Sequence, residues 1–320
     1  MNNQPKIQLI AFSLVVFFAG SFSSCKKESA QEEVPATTNY SPYIKKIFEY
    51  APAPGQFIND ASYGTTEKAN DLIGTTDNGL LSLGGYGGYI IFGFDHAITN
   101  ENGHDLGFFG NPLTGVGMEW SEPGIVSVMQ DKNGNGLPDD GEWYELAGSE
   151  YSKPETIKNY KITYYKPSAI SEDIKWTDNQ GKSGFVLKNS FHAQNYFPAN
   201  VTGASVSFEG TLLKSTLTDG GIISNKPFTF GYSDNGSAEY ISIQDEKGRG
   251  YNTFDIDWAV DKNGNKVSLS KIDFVKVYTA QNSNGNPYDP DTSNSRSRFL
   301  GEISTEIAGA IDIRLYKQKK

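Results

Sequence analysis

The feature that most constrains the fold is a succession of short apolar and aromatic runs separated by glycine- and asparagine-rich turn signals. From residue 43 onward these runs alternate apolar and polar side chains with a period of two, as in Tyr160–Pro167 and Ala204–Leu213. No segment sustains the periodicity of an α-helix. The pattern predicts an all-β chain, folded as one large antiparallel β-sandwich with loop insertions, and two smaller halves are the alternative.

Several strands can be predicted individually. Gly124–Asp131 and Glu142–Gly148 are expected to pair with each other. Phe254–Asp261 and Ile272–Ala280 flank the turn sequence DKNGNK and are expected to form a hairpin. Further strands are predicted at Ala238–Asp245 and Glu306–Tyr316, and Gly84–Gly88 is predicted to be a tight turn.

Composition excludes some classes of function. Hydrophobic residues make up 37% of the chain, with 18 Tyr and 19 Phe, so a sizeable core can form. The net charge of -10 repels phosphate backbones and argues against a nucleic-acid partner. The single cysteine, Cys25, rules out an internal disulfide framework.

The N-terminal segment has the pattern of a targeting signal. The apolar run Ile7–Gly20 is too short to span a bilayer but suits a signal-peptide core. SFSSC, which ends at Cys25, resembles the lipobox of bacterial lipoproteins, whose cysteine is lipid-modified after cleavage. The sequence therefore predicts a signal peptide over residues 1–24, a flexible tether over 25–42 and the β-sandwich over 43–320. A free Cys25 thiol after an ordinary signal peptide is the alternative.

The charged residues just after Cys25 resemble the surface-export signal of lipoproteins in the Bacteroidota. The resemblance implies a protein anchored to the outer membrane and exposed at the cell surface. The periplasmic face of that membrane is the alternative.

The sharpest local motif is DKNGNGLPDDGE, residues 131–142, which has the spacing of an EF-hand-type calcium loop. Gly136 permits the sharp turn at the sixth position of the loop. Hard cations prefer six to eight oxygen ligands, and the loop offers them from side chains and one backbone carbonyl. The predicted Ca²⁺ ligands are Asp131, Asn133, Asn135, Leu137 through its carbonyl, Asp139 and Glu142.

Since both flanks are strand-like, a structural ion between two strands is predicted rather than a helix-loop-helix sensor. An ordinary asparagine-glycine turn is the alternative. A second DKNGN sequence, at residues 261–265, lacks the later acids and is predicted to be a β-turn.

Signatures of catalysis are weak. His96, His104 and His192 form no zinc-binding pattern, and no nucleophile elbow or phosphate-binding loop is present. The sequence therefore favours a protein that is not an enzyme. A hydrolase that uses paired carboxylates is the alternative, with its acids among Glu119, Glu122, Asp139, Glu142 and Glu145.

Aromatic residues beside polar loops are the best signal of a binding function. Trp120, Trp176 and Tyr196 are the candidate ligand-binding residues, because flat rings near Asn and Asp suit sugars and other large polar rings. Trp143 and Trp258 lie within strand patterns and are assigned to the core.

Five segments together resemble a family. They are Glu49–Asp60, Ser82–Ile98, Glu122–Tyr151, Phe254–Ala280 and Leu300–Ala310. The chain is similar over most of its mature length to the "cell surface protein" lipoproteins of the Bacteroidota, which are associated with gene neighbourhoods of TonB-dependent receptors, including some for cobalamin.

The resemblance implies a jelly-roll-like sandwich. It also implies a surface lipoprotein that binds a nutrient, a corrinoid or a glycan, and delivers it to an outer-membrane transporter. A hydrolase acting on a surface glycan and a structural or adhesive surface protein are the alternatives.

Overall fold

The predicted strands assemble into five sheets in a computed structural model that describes residues 39–115, 117–285, 287 and 295–318. The predicted signal peptide, Cys25 and most of the tether lie outside the described residues. Tyr40–Lys320 forms one unit by its contacts. The sequence places the boundary between tether and β-domain at residue 43, and this boundary falls inside the unit. Residues before it already contact the β-domain: the Ser41 N–H donates to Asp95, and the Pro42 carbonyl accepts from the Asp312 N–H.

The strands in the first half of the chain are β1 (Lys46–Ala51), β2 (Leu81–Ser82), β3 (Tyr89–Thr99), β4 (Leu106–Phe109), β5 (Leu113–Gly115), β6 (Met118–Trp120), β7 (Gly124–Met129), β8 (Tyr144–Leu146) and β9 (Ile157–Tyr165). Those in the second half are β10 (Ile174–Asp178), β11 (Ser183–Val186), β12 (Ser205–Leu212), β13 (Leu217–Asp219), β14 (Ile223–Asn225), β15 (Asn252–Phe254), β16 (Ala259–Val260), β17 (Lys271–Thr279), β18 (Glu306–Ile307) and β19 (Gly309–Asp312). The helices are short: α1 (Thr66–Asn70), α2 (Ala238–Ser242), α3 (Ser295–Leu300), α4 (Ile313–Gln318) and a 3₁₀ turn at Ile256–Trp258.

The largest sheet has the order β1-β3-β17-β7-β8-β16 and is antiparallel throughout. Strand β17 is central, and its Val275 lies opposite Phe92 of β3 and Val128 of β7. All six residues of β7 are buried. A strand covered on both faces reads as a continuous apolar run, which is how Gly124–Met129 reads in the sequence.

The main core lies between this sheet and the three-stranded sheet β15-β4-β19. The ring of Phe108 in β4 lies 6.1 Å from that of Phe92 and 5.0 Å from that of Phe254 in β15. All three side chains are fully buried, and burying each ring stabilises the fold by about 1.5–3 kcal/mol.

A second core lies under the sheet β11-β10-β9-β12. Tyr160, Ile162 and Tyr164 alternate along β9 and all face inward. The Tyr164 hydroxyl donates to the Tyr86 carbonyl at 3.1 Å, which ties this sheet to the glycine-rich turn before β3. In that turn Gly87 has φ +85° and lies directly against Phe208, as a tight turn requires.

The fourth sheet, β13-β14-β6-β5, contains the single parallel pairing among the described strands, Asn225 with Trp120. The prediction of an all-β, antiparallel fold is confirmed. The larger sheets have a propeller-like arrangement of four blades, so the strand order of a jelly roll is not evident from the pairing.

Predictions for individual strands had mixed outcomes. The pairing of β7 with β8 is confirmed, as is the turn at residues 261–264, where the Gly264 N–H donates to the Asp261 carbonyl. The hairpin between Phe254–Asp261 and Ile272–Ala280 is wrong, because β16 pairs with β8 while β17 pairs with β3 and β7.

Ala238–Asp245 is not a strand. Its first residues form α2, which Ser237 caps by accepting the Tyr240 N–H at 3.2 Å. This local cap outweighs the alternating pattern. Within the part of the chain that the structure describes, no helix is long and apolar enough to cross a membrane.

Candidate functional site

The best-formed site is a cleft that we call the Trp176 cleft, on the sheet β11-β10-β9-β12. Trp176 of β10 lies half-buried between Gly184 of β11 and Tyr164 of β9, its partners in the two neighbouring strands. A β-carbon added at Gly184 would lie 2.5 Å from Cζ2 of Trp176, so the indole covers the backbone of Gly184. Because Gly184 has no side chain, the indole ring can lie directly against the backbone of the neighbouring strand.

The lining of the cleft also contains polar groups that bond to one another. The Tyr160 hydroxyl donates to Oδ2 of Asp178 at 2.9 Å, and Nδ2 of Asn282 donates to the Tyr160 oxygen at 3.1 Å. Burial and the hydrogen bond to Asp178 raise the pKa of the Tyr160 phenol, so it stays a donor at neutral pH. Asn284 lies beside this group and donates to the Phe185 carbonyl at 2.5 Å.

The enclosed space of the Trp176 cleft is about 490 Å³. Its lining comprises Ile157, Tyr160, Trp176, Asp178, Gln180, Lys182, Ser183, Gly184, Phe185, Leu212, Asn282 and Asn284. Sites for small molecules commonly measure about 300–1,000 Å³ and combine apolar rings with a few polar groups. The cleft can stack a flat apolar face on Trp176 and bond hydroxyl groups through Asp178 and the amides.

Trp120, the second predicted aromatic, lies in a different cavity of about 740 Å³. Its walls are apolar and include Leu113, Met118, Ile222 and Phe299, all of them exposed. The structure therefore does not bring Trp120 and Trp176 together in one site.

Tyr196 has no accessible surface, so the prediction that its ring is exposed for binding is wrong. The reason lies 136 residues away, where Nδ2 of Asn59 donates to the carbonyls of Asn195 and Phe197 at 2.6 and 2.9 Å. These bonds hold the loop so that Tyr196 and Phe197 point into the second core. The ring of His192, in the same loop, packs against Phe57.

The predicted calcium loop folds around Asp131. Its Oδ1 accepts the Gly134 N–H at 2.7 Å, and its Oδ2 accepts the Gly136 N–H at 2.9 Å. Gly136 has φ +71°, which allows the sharp turn that was predicted there. Asn133 and Asn135 both donate side-chain N–H groups to Asp139 at 3.0 Å. Three of the predicted ligands, Asn133, Asn135 and Asp139, therefore lie together.

The other two predicted ligands are placed differently. The Leu137 carbonyl accepts the Asp139 N–H at 2.9 Å, and Oε2 of Glu142 accepts the Tyr144 hydroxyl at 2.9 Å. A cation in this loop requires the Asn133 and Asn135 amides to rotate, because they now turn N–H groups rather than oxygens toward Asp139.

A second polar cavity, of about 540 Å³, has Trp143 and Tyr151 in its lining. Glu145 and Glu209 also line it. Burial raises the pKa of Glu145, although Lys158 opposes that shift from 3.8 Å away. Trp143 is thus half-buried at a cavity rather than in the core, whereas Trp258 packs against the main core as predicted.

Sequence reasoning missed a buried group of acids that we call the acidic triad, Glu122, Asp234 and Glu306. One oxygen from each carboxyl group lies within 4.8 Å of the other two. Burial is the main cause that raises the pKa of all three. The one sequence signal was Glu306, a charged residue in an apolar segment that was predicted to be a strand.

No protein-family model matches this chain, and no curated protein is significantly similar to it in sequence.

Proposed function

We propose that this protein is a surface lipoprotein that binds a nutrient ligand, a glycan or a corrinoid, for delivery to an outer-membrane transporter. The single observation that supports binding most strongly is the Trp176 cleft, a cavity of about 490 Å³ that the indole of Trp176 lines together with Asp178, Tyr160 and Asn282. Aromatic faces stack on the apolar faces of sugar rings, while carboxylates and amides bond their hydroxyl groups.

The dimensions of the cleft favour a glycan over a corrinoid. A cavity of this volume suits a few sugar units, whereas a corrinoid macrocycle with its side chains would contact the cleft only at one edge. Cobalamin is nevertheless included among the ligands to be tested, because the resemblance to the "cell surface protein" lipoproteins suggests it.

Placement at the membrane is a proposal from the sequence. Acylation of Cys25 after removal of residues 1–24 would anchor the β-domain to the outer membrane through the tether, and several acyl chains bind far more firmly than one. Mass spectrometry of the mature N-terminus tests this, and Cys25→Ser should release the protein from the membrane fraction. A TonB-dependent receptor as partner, and membership of the "cell surface protein" family, belong to the same proposal.

We also propose that residues 131–142 bind a structural Ca²⁺. The contacts of Asn133 and Asn135 with Asp139, and the folding of the loop backbone around Asp131, support this, because these are the side-chain positions that an EF-hand-type loop uses. The ion would hold the connection between β7 and β8 rigid.

The finer architecture that we propose is a jelly-roll-like sandwich centred on the main core. The packing of the six-stranded sheet on β15-β4-β19 supports two facing layers.

Calorimetric titration with a panel of oligosaccharides and with cobalamin tests the proposed function. We expect a saccharide to bind wild-type protein and to bind Trp176→Ala at least about tenfold more weakly, since one aromatic contact contributes about 0.5–1.5 kcal/mol beyond its buried area. Trp120→Ala, in the separate cavity, is the matched control and should bind normally. If no ligand binds in this titration, the result would favour the alternative of a structural or adhesive surface protein.

Glycan hydrolysis is a second candidate because of the cavity that contains Glu145. A carboxyl group with a raised pKa can donate a proton to a leaving group, and Glu209 offers a second carboxyl in the same cavity. Release of reducing ends from glycan extracts by wild-type protein, abolished in Glu145→Gln, would support a hydrolase over a binding protein.

A further inference from the structure

Three distant parts of the chain bring the acidic triad together. Glu122 follows β6, Asp234 lies in the loop before α2, and Glu306 begins β18. The Glu122 N–H donates to the Asp234 carbonyl at 2.9 Å, and the Glu306 N–H donates to Oδ2 of Asp234 at 2.8 Å. The backbone thus fixes all three carboxyl groups around one point.

Protein donors already bond part of the triad. The Ser304 N–H donates to Oε1 of Glu122 at 3.0 Å. The Asn111 N–H donates to Oδ1 of Asp234 at 2.9 Å. Carboxylate oxygens have two acceptor positions each, so these bonds leave further lone pairs free.

Glu306 supplies a second, independent observation. The residue is only 5% exposed, and one of its carboxyl oxygens lies within 4.8 Å of oxygens of Glu122 and Asp234. Its Oε1 nevertheless has no hydrogen-bond partner among the described residues. A buried oxygen without a donor is rare in native proteins and calls for an unseen partner.

We propose that the acidic triad binds one hard divalent cation, Ca²⁺ in preference to Mg²⁺, at a buried site distinct from the loop at residues 131–142. In the part of the chain that the structure describes, no lysine, arginine or histidine forms an ion pair with these acids. Protonation of one carboxyl group, which then donates to its neighbour, is the other way to compensate the charge, and the ion titration described below distinguishes it from a bound cation. A cation supplies the positive charge and also contacts Oε1 of Glu306.

The spacing of the oxygens favours Ca²⁺. Ligands of Ca²⁺ lie about 2.3–2.6 Å from the ion, so two of its ligands are at most about 5 Å apart. Ligands of Mg²⁺ lie about 2.0–2.1 Å away, which limits that separation to about 4.2 Å. The triad oxygens all lie within 4.8 Å of one another, a range that Ca²⁺ can span, and Mg²⁺ is disfavoured at a buried site because it usually keeps several of its waters.

Terbium luminescence tests the proposal, because Tb³⁺ replaces Ca²⁺ and is excited through a nearby tryptophan. Trp120 lies two residues before Glu122 in the chain, and Trp143 directly follows the calcium loop. The purified full chain is stripped with chelator and titrated with Tb³⁺ in the background of Asp131→Asn, which disables the loop. We expect one Tb³⁺ per chain, with emission that Ca²⁺ displaces at lower concentration than Mg²⁺ does.

Two further variants assign that emission. Adding Trp120→Phe, which keeps every triad ligand, should abolish the emission while elemental analysis after dialysis against Ca²⁺ still finds one ion per chain. Adding Glu306→Gln should abolish both signals, and circular dichroism shows whether that variant is folded. Absence of emission and of bound ion in the Asp131→Asn chain would overturn the proposal, as would undiminished binding by a folded Glu306→Gln chain. If the loop itself binds no ion, wild type and Asp131→Asn will behave alike and the result for the triad still stands.

Discussion

The indole ring of Trp176 covers the backbone of Gly184, its cross-strand partner in β11. An aromatic side chain that lies over a strand glycine fills the space that the missing side chain leaves. In this protein the arrangement also turns one face of the indole toward the Trp176 cleft. Gly184 therefore contributes to the proposed function without contacting the ligand itself.

Gly184→Ala should weaken saccharide binding by about tenfold, because the added methyl group lies within contact distance of the indole and displaces it. Gly220→Ala is the matched control, since a β-carbon there would meet nothing within 4 Å. Calorimetry on both variants checks this. Equal affinities for the two variants would show that the orientation of the ring does not matter.

Removal of calcium should lower the melting temperature. An ion at 100 times its Kd stabilises the folded state by about 2.7 kcal/mol, which corresponds to several degrees. Calorimetric melting of wild type with and without chelator measures this shift in melting temperature. In Asp131→Asn the shift should be smaller, and only the contribution of the acidic triad should remain.

Asp261→Asn is the control for that experiment, because Asp261 begins the same DKNGN sequence. Its Oδ1 accepts two backbone N–H groups at 2.8 Å, much as Asp131 does in the calcium loop. The chelator-dependent shift should persist in Asp261→Asn. If both aspartate variants respond to chelator as wild type does, the calcium proposal for the loop fails.

Stability should fall as the pH rises from about 4.5 to 8. Burial raises the pKa of Glu302 from 4.5 to about 8, so across that interval the folded state holds a proton that the unfolded state has lost. The contribution of Glu302 to the free energy of unfolding then decreases by up to about 1.4 kcal/mol per pH unit, and it levels off above the folded pKa.

Urea denaturation in chelator at several pH values tests this dependence. Glu302→Gln keeps an acceptor for the Gln56 N–H and should make the free energy of unfolding depend less on pH. Some dependence of the same sign should remain, because the acids of the triad also have raised pKa values. Glu155→Gln, at an exposed position, should leave the slope unchanged. An unaltered slope in Glu302→Gln would contradict the prediction.

Tyr196→Ala should affect stability rather than binding. Truncation of a fully buried aromatic ring costs about 3–5 kcal/mol, and Tyr196 belongs to the second core. Tyr196→Phe, which keeps the ring, should be close to wild type. Loss of saccharide binding by a stable Tyr196→Phe protein would restore the original assignment of Tyr196 to a binding site.

The sequence predicted those parts of the fold that depend on neighbouring residues. Period-two alternation predicted the all-β class, and the pairing of β7 with β8 followed from two predicted strands on either side of the polar loop at residues 131–142. The same local reasoning failed at Ala238–Asp245, where the Ser237 cap stabilises a helical turn despite the alternating pattern.

Features that depend on distant contacts could not be predicted. The direction of Tyr196 is set by Asn59, and the acidic triad joins residues that lie more than 70 positions apart. Trp176 was identified from its polar neighbours, but its orientation depends on Gly184 and its cavity on Asn282, which lies about 100 residues further along the chain.

Fluorine NMR of the chain labelled with fluorotryptophan tests the central claim most directly, because the protein contains only four tryptophans. Single Trp→Phe variants assign the four resonances, and a saccharide that binds by calorimetry is then titrated in. We predict that the resonance of Trp176 shifts with saturation at the calorimetric Kd while those of Trp120, Trp143 and Trp258 stay in place. Binding that moves another resonance and leaves Trp176 unchanged would contradict the account.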